Sequence, residues 1–325
     1  MKIFVTGGNG FIGSHLVPKL VERGHSVTCL VRDPAKAGKL AQEGVTLAKG
    51  DVTDRASLRE PMRGAEVVFH LAGWYVLGNI DKANMQAINV DGTRNTLEVA
   101  VELGVPKIIH TSTVGVFGNT HGKIVDETYR AGKEAMGSEY ERTKWAAHYE
   151  VAVPLQQAGA PVIIVQPGGV TGPGDTSALA SAYEFYLGRT PIMFGETSGP
   201  TWAYVDDIAE GHILAMEKGR PGESYIIAGP SLTYRQVMEM WEKIVGIPAP
   251  KLWAPGWAAS LMSGLAGLFE RLGLSLPLSS EALALLNDYT FYGSAEKAKR
   301  ELGWQPRPIE STFKEVLEYE MKKRK

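Results

Sequence analysis

A chain of 325 residues, 44% of them hydrophobic, is long enough for one large α/β unit with a smaller second lobe, and its composition excludes a disordered chain. With 34 basic against 36 acidic residues the formal charge is -2, which gives no electrostatic footprint for wrapping nucleic acid or an acidic membrane and favours a small-molecule partner. The one cysteine, Cys29, cannot form an intrachain disulfide and reads as a buried structural thiol in the apolar run 27–31, in keeping with a reducing cytoplasm.

The opening MKIFVTGG runs directly into a strand at 3–5, leaving no room for a secretory leader, so a cytoplasmic location is expected. Further strands are predicted at 26–31, 45–48, 67–71, 107–111 and 162–166, with helical patterns between most of them. That rhythm predicts an α/β fold, a doubly wound parallel sheet of Rossmann type covered on both faces. Ligands of such sheets lie at the carboxyl ends of the strands. After Gly172 the rhythm breaks, although 224–228 reads as a strand returning to the first sheet. The division is therefore 1–172 for the sheet domain and 173–325 for a smaller, interleaved C-terminal lobe that holds substrate. The most apolar helical window, 258–269, is far shorter than the roughly 20 residues of a bilayer span and reads as protein interior or pocket wall, so no transmembrane segment is expected.

Strand 3–5 is followed by Thr6-Gly7-Gly8-Asn9-Gly10-Phe11-Ile12-Gly13 and then a helical pattern through Leu20. Gly7, Gly10 and Gly13 permit a tight turn, close approach of backbone to a pyrophosphate and close helix–strand packing, which is the dinucleotide-binding pattern. The position after strand 26–31, where an acid usually selects NAD, holds Arg32, whose guanidinium suits a 2′-phosphate. With Lys36 and Lys39 nearby this favours NADP(H) over NAD(H); the alternative is a surface pair of Arg32 with Asp33. Asp51 reads either as an acceptor for an adenine amino group or as a turn former. Leu71, Ala72 and Gly73 end a buried strand in residues small enough for a ligand to lie against the backbone.

Tyr140 and Lys144 stand at i, i+4 on one helix face, and Ser138 with Glu141 forms an S-x-x-E capping box that puts Tyr140 in the first turn. A neighbouring ammonium lowers a phenol's pKa from its usual value of about 10 toward the range useful for proton transfer. Thr111-Ser112-Thr113 follows strand 107–111, and Thr113 can donate to a substrate oxygen. Asn89 reads either as orienting a water or backbone carbonyl beside Lys144, or as a helix cap. The seven histidines show no metal-ligand pair and there is no G-x-S-x-G elbow, so metal and serine-hydrolase chemistry are not expected.

Taken in order, TGGNGFIG, GDVTD, FHLAG, NVDGTRN, TSTVGVFG, YERTK, PGGVTGPGD and WAYVDDIAEGH resemble the extended short-chain dehydrogenase/reductases, the epimerase/dehydratase superfamily, over nearly the whole chain. Within it, CLVRDP resembles the NADP-selecting segment of dihydroflavonol reductase-like proteins. The resemblance implies a catalytic set of Thr113, Tyr140 and Lys144, Lys144 also holding the nicotinamide ribose; Asn89 joins them as a catalytic candidate on the first of its two readings above. It further implies cofactor contacts by Phe11, Ile12, Val52, Thr111, Pro167 and Val170. Trp74, Tyr75, Ser112, Phe117, Trp202 and Tyr204 are candidates for substrate contact, with packing as the alternative for the aromatics. Helices near 89–103 and 138–153 would pair across a two-fold axis in a homodimer, a surface that a break or kink at Pro154 would limit.

Three functional readings are open at this point. The first is reversible reduction by NADPH of an apolar or aromatic ketone or aldehyde, with Tyr140 as acid/base. The second is a nucleotide-sugar epimerase or dehydratase with retained NAD(H), against which stand Arg32 and the segment 166–169. The third is a dinucleotide-sensing protein without chemistry, against which stands the joint presence of Thr113, Tyr140 and Lys144.

Overall fold

Runs of β-branched and aromatic residues pair into one seven-stranded parallel sheet in a computed structural model that describes residues 1–41, 44–78, 81–272, 274 and 278–324. Its strands are β1 (Lys2–Thr6), β2 (Ser26–Val31), β3 (Val45–Lys49), β4 (Val67–His70), β5 (Lys107–Thr111), β6 (Val162–Pro167) and a returning strand, Ser224–Ile227. Across the sheet the order is returning strand, β6, β5, β4, β1, β2, β3. The direction of winding reverses between β1 and β4, where Thr6 lies opposite His70, so the switch point opens above these two residues.

Both faces are covered, which is why the strands read as unbroken apolar runs. Val5, Phe69, Ile109 and Ile163 pack beneath helix α1 (Phe11–Glu22) and the helix Val205–Lys218. Phe4, Val68, Ile108 and Ile164 face Leu97 and Trp145 on the other side. A separate cluster of Tyr183, Trp202, Trp241 and Phe313 forms the core of the second lobe.

The helix bearing Tyr140 runs from Glu139–Ala146 through a wide π turn, Ala147–Ala152, into Val153–Gln157. The expected break at Pro154 does not occur: the widened turn just upstream makes room for the ring and the missing N–H. A second π turn, Ala87–Asp91, interrupts the helical stretch 82–102 opposite it. The window 258–269 corrects another expectation. It lies in the helix Gly256–Arg271, which turns Ala259 and Ala266 inward and leaves Trp257 and Leu268 exposed.

Gly7, at φ +75°, presses against β4: a Cβ there would lie 2.5 Å from the Ala72 amide nitrogen. Gly7→Ala therefore combines a left-handed backbone penalty with overpacking against backbone, an expected loss of about 2–4 kcal/mol. Gly24, at φ +79° with open space around it, isolates the backbone part, about 1–2 kcal/mol. Urea unfolding of the two alanine variants should place the Gly7 midpoint clearly below that of Gly24.

Candidate active site

Helix α1 begins at Gly10 with no side-chain cap and no acid in its first turn, so its first N–H groups remain available to an anion. A Cβ on Gly13 would collide with the Gly7 carbonyl, which makes glycine obligatory for this tight approach. Phe11 and Ile12 are half-buried, and Phe11 reaches toward Gly172, bringing the segment after β6 over the loop. Pro167 is buried and Val170 half-buried in that segment.

At the end of β2, Arg32 is exposed. Asp33 caps the turn Pro34–Lys36 through Ala35 N and lies 3.8 Å from Lys36 Nζ, which leaves Arg32 without an ion pair among the described residues. The side chain of Lys39 lies outside the described residues. A cavity of about 270 Å³ opens here, lined by Asn9, Ser14 and Lys36 among others. Asn9 gave no signal of its own in the sequence, where the glycines around it carry the pattern. Asp51 adopts the turn-forming role: its Oδ1 accepts from Thr53 N and Oγ1, each at 2.9 Å. Val52 is buried, with its carbonyl accepting from Asn95 Nδ2 at 3.0 Å.

Beyond β4 the chain passes through Leu71, Ala72 and Gly73 into an aromatic loop. Asn89 holds that loop by orienting a backbone carbonyl, one of its two expected roles, and the helix-cap reading is corrected. It sits inside a π turn and caps nothing; its Oδ1 accepts from Trp74 N at 2.6 Å, while its Nδ2 donates to Trp74 O at 3.1 Å and to Thr143 Oγ1 at 3.0 Å. Tyr75, next along, meets the Tyr140 ring edge-on with centroids 4.6 Å apart.

Ser138 caps the helix through Glu141 N, but the return arm of the expected capping box goes elsewhere: Glu141 accepts from Gly137 N, Ser138 Oγ and Tyr289 Oη. Tyr140 stands in the first turn. Thr113 Oγ1 accepts from Gly115 N at 3.1 Å and stands beside the Tyr140 phenol, whose ionised form it favours. Lys144 is buried and donates to the Thr111 carbonyl at 2.8 Å. A Cβ built on Gly73 would lie 3.5 Å from Asn89 Oδ1 and 4.0 Å from Lys144 Nζ, so the chain beyond β4 passes directly beside both side chains.

The electrostatics differ from expectation. Burial, and then the Glu141 carboxylate, raise the Tyr140 phenol above its ordinary value, with Thr113 opposing them; the Lys144 ammonium is directed at Thr111 and does not lower it. Burial brings Lys144 itself down to about 8. Tyr140 is therefore protonated at neutral pH.

Histidines, given no role from the sequence, crowd behind this site. His70 bridges Thr6 at 2.8 Å and Thr93 at 2.9 Å, and stacks on His110 with centroids 5.4 Å apart. His148 Nδ1 bonds Ser112 Oγ at 2.8 Å, and His212 Nε2 bonds Thr111 Oγ1 at 2.9 Å. Ser112 is thus buried and engaged, which removes it from the substrate candidates. Phe117 and Trp202 are likewise buried in packing, Trp202 against Tyr234 and Phe313. Tyr204 is taken by Glu315, at 2.6 Å, and lies under the Arg307 guanidinium. Packing is what these three aromatics do.

A family model described as "NAD dependent epimerase/dehydratase family" matches residues 3–228. The chain belongs to that family. It is an extended short-chain dehydrogenase/reductase, an NAD(P)-dependent oxidoreductase. Among relatives, it is 29% identical to a putative dihydroflavonol 4-reductase of Synechocystis over 97% of this chain and 93% of that one. It is 30% identical to a 4-hydroxy-2-methyl-3-oxo-4-farnesyl-3,4-dihydroquinoline-1-oxide ketoreductase of Stigmatella aurantiaca, over 94% and 92%. The UDP-glucose 4-epimerase of Thermotoga maritima superposes with a TM-score of 0.77 at 25% identity, covering 100% of both chains. The family's dinucleotide fits the uncapped α1 and the glycines that pack there without side chains.

Burial holds His70 and His148 near a pKa of about 3 and His212 near about 4, below the ordinary 6.5. Below pH 6.5 the unfolded chain binds protons that the folded chain refuses, so stability falls as pH drops from 6.5 toward 4. Each of these three should contribute roughly 1 kcal/mol per pH unit over that window. Urea midpoints measured across it test the sign; a midpoint that does not fall with pH would mean the imidazoles are not held neutral.

Proposed function

We infer that the protein catalyses reversible reduction, by NADPH, of the carbonyl of an apolar or aromatic ketone or aldehyde. The supporting observation is the Thr113–Tyr140 hydroxyl pair at the end of β5, with the Tyr75 ring against it and Lys144 beneath. The names of two relatives, a reductase and a ketoreductase, agree with this direction.

Bound NADPH supplies the hydride. Tyr140, kept neutral by burial, gives its proton to the carbonyl oxygen, while Thr113 donates a hydrogen bond to the same oxygen. The phenolate that results is stabilised by Thr113, the group that opposes burial at Tyr140, while Lys144, directed at Thr111, would hold the nicotinamide ribose. Asn89 fixes Trp74 and so sets where Tyr75 covers the pocket. Trp74 and Tyr75 are the aromatic surfaces offered to substrate. Gly7, Gly10 and the first turn of α1 receive the pyrophosphate, with Leu71, Ala72, Gly73, Thr111, Pro167 and Val170 along the cofactor. Preference for NADP(H) rests on Arg32, free of an ion pair among the described residues, with Lys36 and Asn9 at the adjoining cavity.

Tyr140→Phe should lower kcat/KM in a carbonyl-substrate screen by roughly 10³-fold while leaving NADPH affinity nearly unchanged. Equal loss of turnover and NADPH binding would remove Tyr140 as the proton donor. Arg32→Ala should weaken NADPH about tenfold and leave NADH binding as it was, the loss of one charge-assisted contact. Titration of both nucleotides by fluorescence measures this. Native mass spectrometry showing tightly retained NAD that resists exchange would instead favour an epimerase-type cycle.

A further inference from the structure

The helix Gly256–Arg271 is built inside out. Its small residues, Ala259 and Ala266, face the protein, with Ser263 donating to Ser280 O at 2.8 Å. Its large apolar side chains face away: Trp257 is 70% exposed, and Leu261, Leu265, Leu268, Phe269 and Leu272 come after it at helical spacing. Scattered exposed leucines are ordinary; an outward stripe on a single helix signals a covering partner.

Charge decides which partner. The one acid in the helix, Glu270, is turned inward, accepting from Ser280 N at 2.8 Å and Ser280 Oγ at 2.6 Å. In the sequence, cations bracket the stripe: the exposed Lys251 precedes it and Arg271 closes it. That arrangement complements an anionic lipid surface into which an apolar helix face sinks while flanking cations meet headgroups. A second copy is a poorer fit: paired about a two-fold axis, the antiparallel helices would set the Lys251 end of one against the Arg271 end of the other, cation against cation. No helix among the described residues is long and apolar enough to cross a membrane, so the fitting geometry is one that lies in the surface.

We propose that the helix Gly256–Arg271 docks the protein onto the surface of a bilayer containing anionic lipid. The helix is joined to the active-site segments from its inner side. The helix rests on Ser280–Ala284, whose Glu281 accepts from Gly78 N at 3.1 Å in the Trp74–Tyr75 loop region and from Glu139 N at 2.9 Å, next to Tyr140. The docking itself does not depend on the reading of the reaction.

The test is sedimentation of the full chain with vesicles of phosphatidylcholine with and without phosphatidylglycerol. Wild type should pellet with the phosphatidylglycerol vesicles, and the Leu261→Asp/Leu268→Asp double variant should lose at least roughly tenfold in partitioning. Both positions are exposed, so the urea midpoint should stay unchanged and serves as the folding control. Lys251→Glu should weaken binding to the anionic vesicles more than to pure phosphatidylcholine. Absence of wild-type binding to either vesicle, or binding indifferent to the double substitution, overturns the proposal. So does a wild-type dimer in analytical ultracentrifugation that the double variant splits, since a second copy would then cover the stripe.

Discussion

A buried ammonium with no carboxylate partner among the described residues sets the terms for this molecule's centre. Burying such a charge is costly, and here the compensation comes from a peptide dipole, the Thr111 carbonyl at the end of β5. That contact fixes the register between a central strand and the helix 139–157, and so places Tyr140 over Thr113. It also requires the imidazoles behind it to stay neutral, because a second buried cation would oppose the first. His70 is held neutral between two threonines, one belonging to the strand that leads into the glycine loop and one to the helix after Asn89. The glycine loop, the aromatic loop and the helix of Tyr140 are thereby linked through a buried polar layer.

Much of this was legible in the sequence. Strand positions came from apolar runs, the loop at Gly7 to Gly13 from glycine spacing, and the shared face of Tyr140 and Lys144 from helical periodicity. What escaped was information carried by pairing between distant segments. His70 and His110 stack because β4 and β5 align them, a register that neither strand displays alone. Ser112 and Thr113 are both hydroxyls after the same strand; only the position of His148 shows which of them is engaged. Asn89 binds a loop 15 residues earlier, across a π turn that no propensity rule marks. The apolar window near 258–269 gave hydrophobicity correctly, but hydrophobicity does not state which side of a helix the protein occupies.

Two π turns, Ala87–Asp91 and Ala147–Ala152, face each other beside the site. Each adds about one residue to a turn, rotating the rest of its helix by roughly 100°. The first carries Asn89, and the second carries His148 toward Ser112 while admitting Pro154. Local irregularity of the helices is thus where this chain adjusts the common fold to its own side chains.

Beneath the phosphate loop lies Cys29, buried, with its thiol pushed up to about 12; a Cβ on Gly8 would come within 3.0 Å of its sulfur. The sulfur is shielded by the loop that receives the nucleotide, so an alkylating reagent reaches it only when that region opens. The sole thiol of the chain is in this way a built-in clock: its labelling rate reports how often the nucleotide site comes apart, and the slowing produced by a ligand reports how firmly that ligand holds it closed.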